Sequence, residues 1–353
     1  ALRSIVLGCV MAYLLYPLTR FAEQFLLFHH VKPKSARTLS TAFSTIVLLT
    51  LIFLFAYFII PQMVVNLPPL IQGLPEMIQS FSKNLSDFLA QSLLPTTDLV
   101  MDRQKKKKQV KFFTNPELCD ITEDLVLTEP YLAQPMNPRN KNIVTPGNED
   151  FVREHLYEDA ALHAEVAALR NGFMNNAQAL IHGDLHSGSV FANENGIKVI
   201  DPEFAFYGPM GYDIGNVIGN FFFSLASKIF TMPEETDAIN ALYRIIAETY
   251  DMTREKLLAK YDELVSFPLY KAEGFKKHYI DSVMADSVGY AGTEIIRRVV
   301  GDSKVMEVTS VTDLEKRIPM ERALIKLGIA LIMRRSEFVS GAEIIEAFRL
   351  IIA

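Results

Sequence analysis

The sequence predicts a mostly α-helical chain with a small β-hairpin, preceded by two apolar helices, and three observations carry that fold class. Segments with apolar residues at helical spacing and few breakers fill the C-terminal part of the chain. Two short apolar runs, 189–192 and 197–200, flank the turn signal Asn195-Gly196, as in a β-hairpin. Ahead of them, STAFSTIVLLTLIFLFAYFII over 40–60 runs without a single charge.

That uncharged run is long enough at helical rise to cross a bilayer core of about 30 Å, and it is read as a transmembrane helix. Residues 4–19 are also uncharged, though punctuated by Pro17, and are read as a second membrane helix extended by 20–28 toward the interface. No small-residue cleavage site of a signal peptide follows. A buried helical hairpin is the alternative. Between the two lies a basic loop, HHVKPKSAR over 29–37, which belongs on the cytoplasmic side by the positive-inside rule. The next segment, PQMVVNLPPLIQGLPEMIQSFSKNLSDFLAQ, mixes apolar residues with prolines in the manner of an interfacial amphipathic stretch. The reading makes the lipid bilayer a partner through residues 4–60 and places the chain at a membrane.

Further on, 116–128, 150–179, 210–227, 234–250, 254–263, 274–301, 313–334 and 341–352 have helical periodicity. Loops fall at 131–148, with Pro135, Pro138 and Pro146, and around 302–312. Lys105 to Lys108 form a charge run read as an exposed turn of helix or a linker, with anionic lipid contact as a lesser option. The triplet Phe221-Phe222-Phe223 reads as core.

The chemistry concentrates in LIHGDLHSGSVFANENGIKVIDPEFAFYGPMGYDIGN, residues 180–216. The predicted hairpin sets Asp184 and Asp201 side by side. Phosphoryl transfer needs an oxygen to orient the attacking hydroxyl and hard oxygen ligands to hold Mg²⁺ against phosphates. Asp184 suits the first role. Asp201 and Glu203, one residue apart, can both reach a metal, and Ser189 adds a hydroxyl at the spacing at which protein kinases carry a metal-binding Asn. Taken singly, each carboxylate could cap a turn; together they are a constellation. His182 and His186 read as structural, the His182 imidazole bonding backbone beneath the loop. Asp213 is read as capping a helix and bracing the loop through backbone N–H groups.

HGDLHSGS followed by KVIDPEFAFYGPMGYDIGN closely resembles the 5-methylthioribose kinases, small-molecule kinases of the aminoglycoside-phosphotransferase-like, protein-kinase-like fold. The resemblance extends over about 98–353, including TNPELCDITEDLVLTEPY and GTEIIRRVVG. It implies a kinase-like C-lobe in which Asp184 is the catalytic base, Asp201 and Glu203 the metal pair, and Arg297 and Arg298 lie near the transferred phosphate and substrate. A guanidinium suits that place, since its planar fork binds phosphate oxygens and stabilises developing charge. The alternative for the arginine pair is an exposed helix face paired with carboxylates such as Glu294. The implied reaction is ATP- and Mg²⁺-dependent phosphorylation of the anomeric hydroxyl of methylthioribose in methionine salvage, with pairing of the complete kinases into homodimers.

Residues 1–88, in YPLTRFAEQF and IIPQMVVNLPPLIQGLPEMIQ, resemble the autoinducer exporter family of multi-span membrane proteins. The resulting domain scheme is a transporter-like 1–88, a junction over 89–110 and a kinase-like lobe over 111–353. The glycine-rich loop, strand lysine and helix glutamate of an N-terminal nucleotide lobe find no match ahead of Asp98. ATP binding and turnover are therefore expected to be impaired. With a cytoplasmic basic loop and one crossing, everything after Pro61 would emerge where ATP is scarce. Upstream spans that reverse the orientation, a helical hairpin that does not cross, or a chain joining two parents with the seam between 82 and 98 would each resolve this; the last is the expectation adopted, and the start at Ala1 leaves room for a piece upstream. The rivals are a transporter fragment carrying an inert kinase lobe and a binding module for methylthioribose.

Bulk properties limit the alternatives. Thirty-five basic against 41 acidic residues in a chain of 353 give a net charge of −6, which offers no general footprint for nucleic acid. Cys9 and Cys119 stand far apart without ligand-spaced partners, so neither a disulfide framework nor a zinc site is indicated.

Overall fold

The computed structural model describes residues 2–134, 136–193 and 196–353, with side chains from Leu15 onward apart from 51–52, 55–56 and 59–75. Pro135, the Asn195 half of the turn signal and the Cys9 side chain lie outside the described residues. The chain divides into two compact units, 1–74 and 75–353.

The first unit holds α1 (Leu2–Phe28) and the start of α2 (Pro33–Leu93). Small side chains at Ala36, Ser40 and Ser44 are buried, and the Thr19 and Ser44 hydroxyls meet 2.8 Å apart between the two helices. Phe21, Phe25, Phe43 and Ile46 are exposed. Among the described residues no helix is long and apolar enough to cross a membrane. This overturns the two predicted transmembrane helices over 4–28 and 40–60, the bilayer as a partner of residues 4–60 and the membrane location. The described part of the uncharged run is diluted by Ser40, Thr41, Ser44, Thr45 and Thr50. Their hydroxyls turn back onto carbonyls three or four residues earlier in the helix. The side chains of 51–52, 55–56 and 59–60 in that run lie outside the described residues.

In the second unit, α2 ends with Leu85, Leu89 and Leu93 in the core, and the buried Ser86 hydroxyl bonds the Thr249 carbonyl at 3.3 Å. Then come α3 (Arg103–Phe112), α4 (Pro116–Leu125), the short α5 (Glu149–Val152) with one π-helical turn over Arg153–Tyr157, and α6 (Ala160–Asn175). The single helix predicted over 150–179 is interrupted because Asp159 caps α6, its carboxylate accepting from Leu162 N at 2.9 Å. Two antiparallel strand pairs follow. β1 (Ala179–Ile181) pairs with β4 (Phe206–Gly208), and β2 (Val190–Asn193) with β3 (Gly196–Val199) in the predicted hairpin.

The rest is helical: α7 (Met210–Thr231), α8 (Thr236–Leu264), α9 (Glu273–Val300), α10 (Met306–Thr309), α11 (Leu314–Met333) and α12 (Gly341–Ile352). The two helices predicted over 234–250 and 254–263 are one, α8. Asp251, which falls between them, lies within the helix and accepts from Gly341 N at 2.8 Å. α7 is buried from Met210 through Phe223. It approaches α9 so closely that a Cβ on Gly215 would stand 2.3 Å from the Ser287 carbonyl oxygen. This contact fixes α7 and α9, the two helices that carry half of the site described below.

Asp286 on α9 packs against Gly211 at this contact. Burial pushes its carboxyl up to about 6 from an ordinary 3.8, against the pull of Arg335. A raised folded value means full stability below the unfolded value, lost as pH rises from 3.8 to about 6. Because Asp286 is partly exposed, Asp286→Asn is expected to stabilise the protein by about 1–2 kcal/mol at pH 7. Near pH 3.5 the gain should vanish. Urea unfolding of both proteins at the two pH values measures this, and an equal effect at both would show the carboxyl unperturbed.

Candidate active site

β1 delivers the chain into the turn His182-Gly183-Asp184, and three contacts fix that turn. The buried Asp213, in the first turn of α7, accepts from His182 N at 2.6 Å and from Gly183 N at 3.0 Å. Burial raises its carboxyl while these two N–H groups pull it down. Its oxygens thus serve the loop ahead of Asp184. Gly183 has φ +85, and a Cβ there would lie 2.2 Å from the Phe204 carbonyl oxygen. Finally, His182 Nε2 donates to Ile200 O at 2.9 Å, while its Nδ1 faces Asp184 N at 3.4 Å. The His182 bond joins the residue before Asp201 to the turn that carries Asp184.

On the hairpin side, Ile200 N donates to Ser189 O at 3.0 Å, so the end of β3 is tied to the start of β2. Asp201 has φ +66, a left-handed conformation uncommon outside glycine. The turn that follows is held by Asn115, whose side-chain amide donates to Glu203 O at 2.7 Å and Ala205 O at 3.3 Å. Asp201 and Glu203 are both exposed, with carboxylates outside any ion pair among the described residues.

Asp184 sits in a charge network. Its Oδ1 accepts from Arg297 Nη2 at 3.1 Å and lies 3.7 Å from Arg298 Nη2. Behind the two guanidiniums is Glu294, fully buried, which accepts from Arg297 Nε, from Arg298 Nε at 3.0 Å and from Asn220 Nδ2 at 2.9 Å. Burial alone would raise the Glu294 carboxyl; Arg297 and Arg298 outweigh it and hold it below the usual range. Burial likewise works against the Arg297 charge, but Glu294, Tyr212 and Asp184 together raise its pKa further. Arg297 is buried, so the exposed-helix alternative for this residue does not hold, although the pairing with Glu294 does occur.

The second Asp184 oxygen is less engaged. His186 Nε2 stands 3.8 Å from Oδ2. His186 Nδ1 accepts from Gly188 N at 3.1 Å, so Nε2 carries the proton, which also faces Ser189 Oγ at 3.2 Å. Burial lowers the His186 pKa and opposes the pull of Asp184, which keeps the ring neutral at pH 7. Ser189 is buried with its hydroxyl on that ring, whereas Asp201 and Glu203 face solvent.

Carboxylate oxygens are the donors a hard divalent cation takes. Among the described residues, no group of three or more His, Cys, Asp or Glu side chains stands ready to hold a metal alone. A pair of free carboxylates fits an ion that also uses substrate phosphates, the ordinary arrangement for Mg²⁺. The described elements ahead of β1 are all helical.

Residues 114–253 match the phosphotransferase enzyme family. The chain is similar to methylthioribose kinases. That of Geobacillus sp. WCH70 is 37% identical over 267 residues, covering 76% of this chain and 64% of that protein. That of Erwinia tasmaniensis is 39% identical over 251 residues, 70% of this chain and 61% of the relative. The Cronobacter sakazakii kinase is 37% identical over 278 residues, 76% and 66% respectively. The chain thus spans less than two thirds of the length of these relatives. The matches support the kinase-like part. They lend nothing to the exporter-like reading of 1–88, the transporter alternative, a truncated or fused origin, or a homodimer.

Sequence reasoning missed three residues of the site. Asn115 lies in the quoted TNPEL stretch, Asn220 follows GYDIGN by one helical turn, and Glu294 entered only as a surface partner for the arginines. The spacing of Glu294 to Arg297 and Arg298, three and four residues on one helix, was the available signal.

Proposed function

We propose that residues 111–353 form the catalytic lobe of a small-molecule kinase that moves a phosphoryl group from ATP to the anomeric hydroxyl of methylthioribose. The observation that carries this reading is the setting of Asp184. One oxygen is fixed by Arg297, and the other, 3.8 Å from His186 Nε2, has no hydrogen-bond partner among the described residues and could take an acceptor hydroxyl. Asp184 orients that hydroxyl and takes its proton as the bond to phosphorus forms. Arg298, and Arg297 behind it, supply positive charge for phosphate oxygens. Asp201 and Glu203 would hold Mg²⁺, which when bound neutralises phosphate charge; Ser189 is a lesser candidate because its hydroxyl is engaged by His186. His182 and Asp213 hold the loop so that Asp184 does not wander, the pre-organisation on which transfer depends.

The test is a transfer assay with MgATP and methylthioribose on the purified chain beside Asp184→Asn. Transfer should fall by at least about a hundredfold in the variant, since general-base assistance of this kind contributes on that order. Equal rates would refute the role of Asp184. Absence of transfer from a folded sample that still binds methylthioribose would favour the binding-module reading.

A further inference from the structure

The lysine run of α3 has no part in the site just described. Arg103, Lys106, Lys107 and Val110 fall at positions i, i+3, i+4 and i+7, one face of the helix. That face lines a cavity of about 530 Å³ opposite Gln178 and Tyr279, within the range of roughly 300–1,000 Å³ usual for small-molecule sites. Lys105 and Lys108 lie off this face; on it, Lys106 is buried while Arg103 and Lys107 remain open to solvent.

The cavity side is built around a buried cation. The Lys106 side chain is nine-tenths buried; its Nζ donates to the Gln178 carbonyl at 3.0 Å and to Asp98 Oδ1 at 3.3 Å. Asp98 thereby neutralises Lys106. Arg103 and Lys107, neither in an ion pair among the described residues, leave an excess of two positive charges on the lining. A cavity wall with unpaired guanidinium and ammonium groups one helical turn apart suits an anion with several oxygens.

We infer that this cavity is a second binding site, for a small phosphate-bearing molecule whose oxygens Arg103 and Lys107 take. It lies at the opposite end of β1 from Asp184. Gln178 enters β1 directly, and its Oε1 accepts from Met210 N at 2.9 Å. Met210 opens α7, one turn before Asp213, the carboxylate that grips the His182–Gly183 backbone. An anion seated there bears on an element continuous with the Asp184 turn. The inference does not depend on phosphoryl transfer.

Inorganic pyrophosphate, titrated calorimetrically into the full chain at constant ionic strength, tests it, with amide hydrogen exchange to locate the site. Saturable binding should slow exchange in 103–112 and 176–181. In the double variant Arg103→Gln/Lys107→Gln, which changes exposed side chains only, affinity for this site should drop at least about tenfold, the loss expected for two charge-assisted bonds. The protection of 103–112 should go with it. Arg298→Gln, which alters the other anion-attracting place, should leave that protection intact. No saturable binding, unchanged protection in the double variant, or loss of it in Arg298→Gln would each overturn the proposal.

Discussion

Replacing Gly183 by alanine should destabilise the protein by about 3 kcal/mol and disorder the turn that carries Asp184. Two separate penalties add at this position. A φ of +85 places an L side chain in a region it rarely occupies, at about 1–2 kcal/mol. The new Cβ would also fall 2.2 Å from the Phe204 carbonyl oxygen, a backbone atom that can yield only by moving the whole Asp201–Ala205 turn; overpacking of this kind costs about 1–3 kcal/mol. Gly196→Ala is the control. Its φ is +132, but a Cβ there meets nothing within 4 Å, so only the conformational penalty applies. Urea unfolding of the two variants should separate them by the clash. If both lose the same amount, the close approach of Phe204 to Gly183 is not rigid, and the turn has more freedom than its contacts imply.

The same turn shows what a sequence can and cannot disclose. Asp184, Asp201, His182 and Asp213 lie within one stretch of 32 residues, 182–213, so their chemical types and spacing were legible before any coordinates. The hairpin was legible as well, because β2 and β3 are adjacent in sequence and joined by a turn signal. The β1–β4 pair was not: three-residue strands have too few positions for a period, and the whole hairpin separates the two partners in sequence. Glu294 was undervalued for a related reason. An acidic residue three and four positions before two arginines looks the same on a surface as in a core, and only the packing of α7 against α9 decides which. The N-terminal helices failed differently. Helicity was legible from the absence of breakers, but the bilayer reading rested on length and lack of charge alone, and among the described residues no helix is long and apolar enough to cross a membrane.

Glu294 should be the most costly single charge to remove. In Glu294→Gln, two guanidiniums remain, one of them buried, with the partly exposed Asp184 as their sole carboxylate. Breaking one side of a buried ion pair typically costs about 3–5 kcal/mol, and here one carboxylate serves two arginines and Asn220. The pH dependence gives the effect a signature. The folded Glu294 carboxyl is held below its ordinary 4.5, so its contribution is complete above 4.5 and is lost as pH falls through the lower folded value. The stability gap between wild type and Glu294→Gln should therefore be widest at neutral pH and close on acidification. A gap that persists unchanged at acid pH would mean that the glutamate acts by shape and not by charge. Arg297 should also be drawn onto Asp184 once its other carboxylate is gone, engaging the base that the proposed transfer needs free. A variant that keeps its fold at neutral pH but transfers more slowly at saturating substrate would place Glu294 behind the reaction as the residue that keeps Arg297 from overcommitting to Asp184.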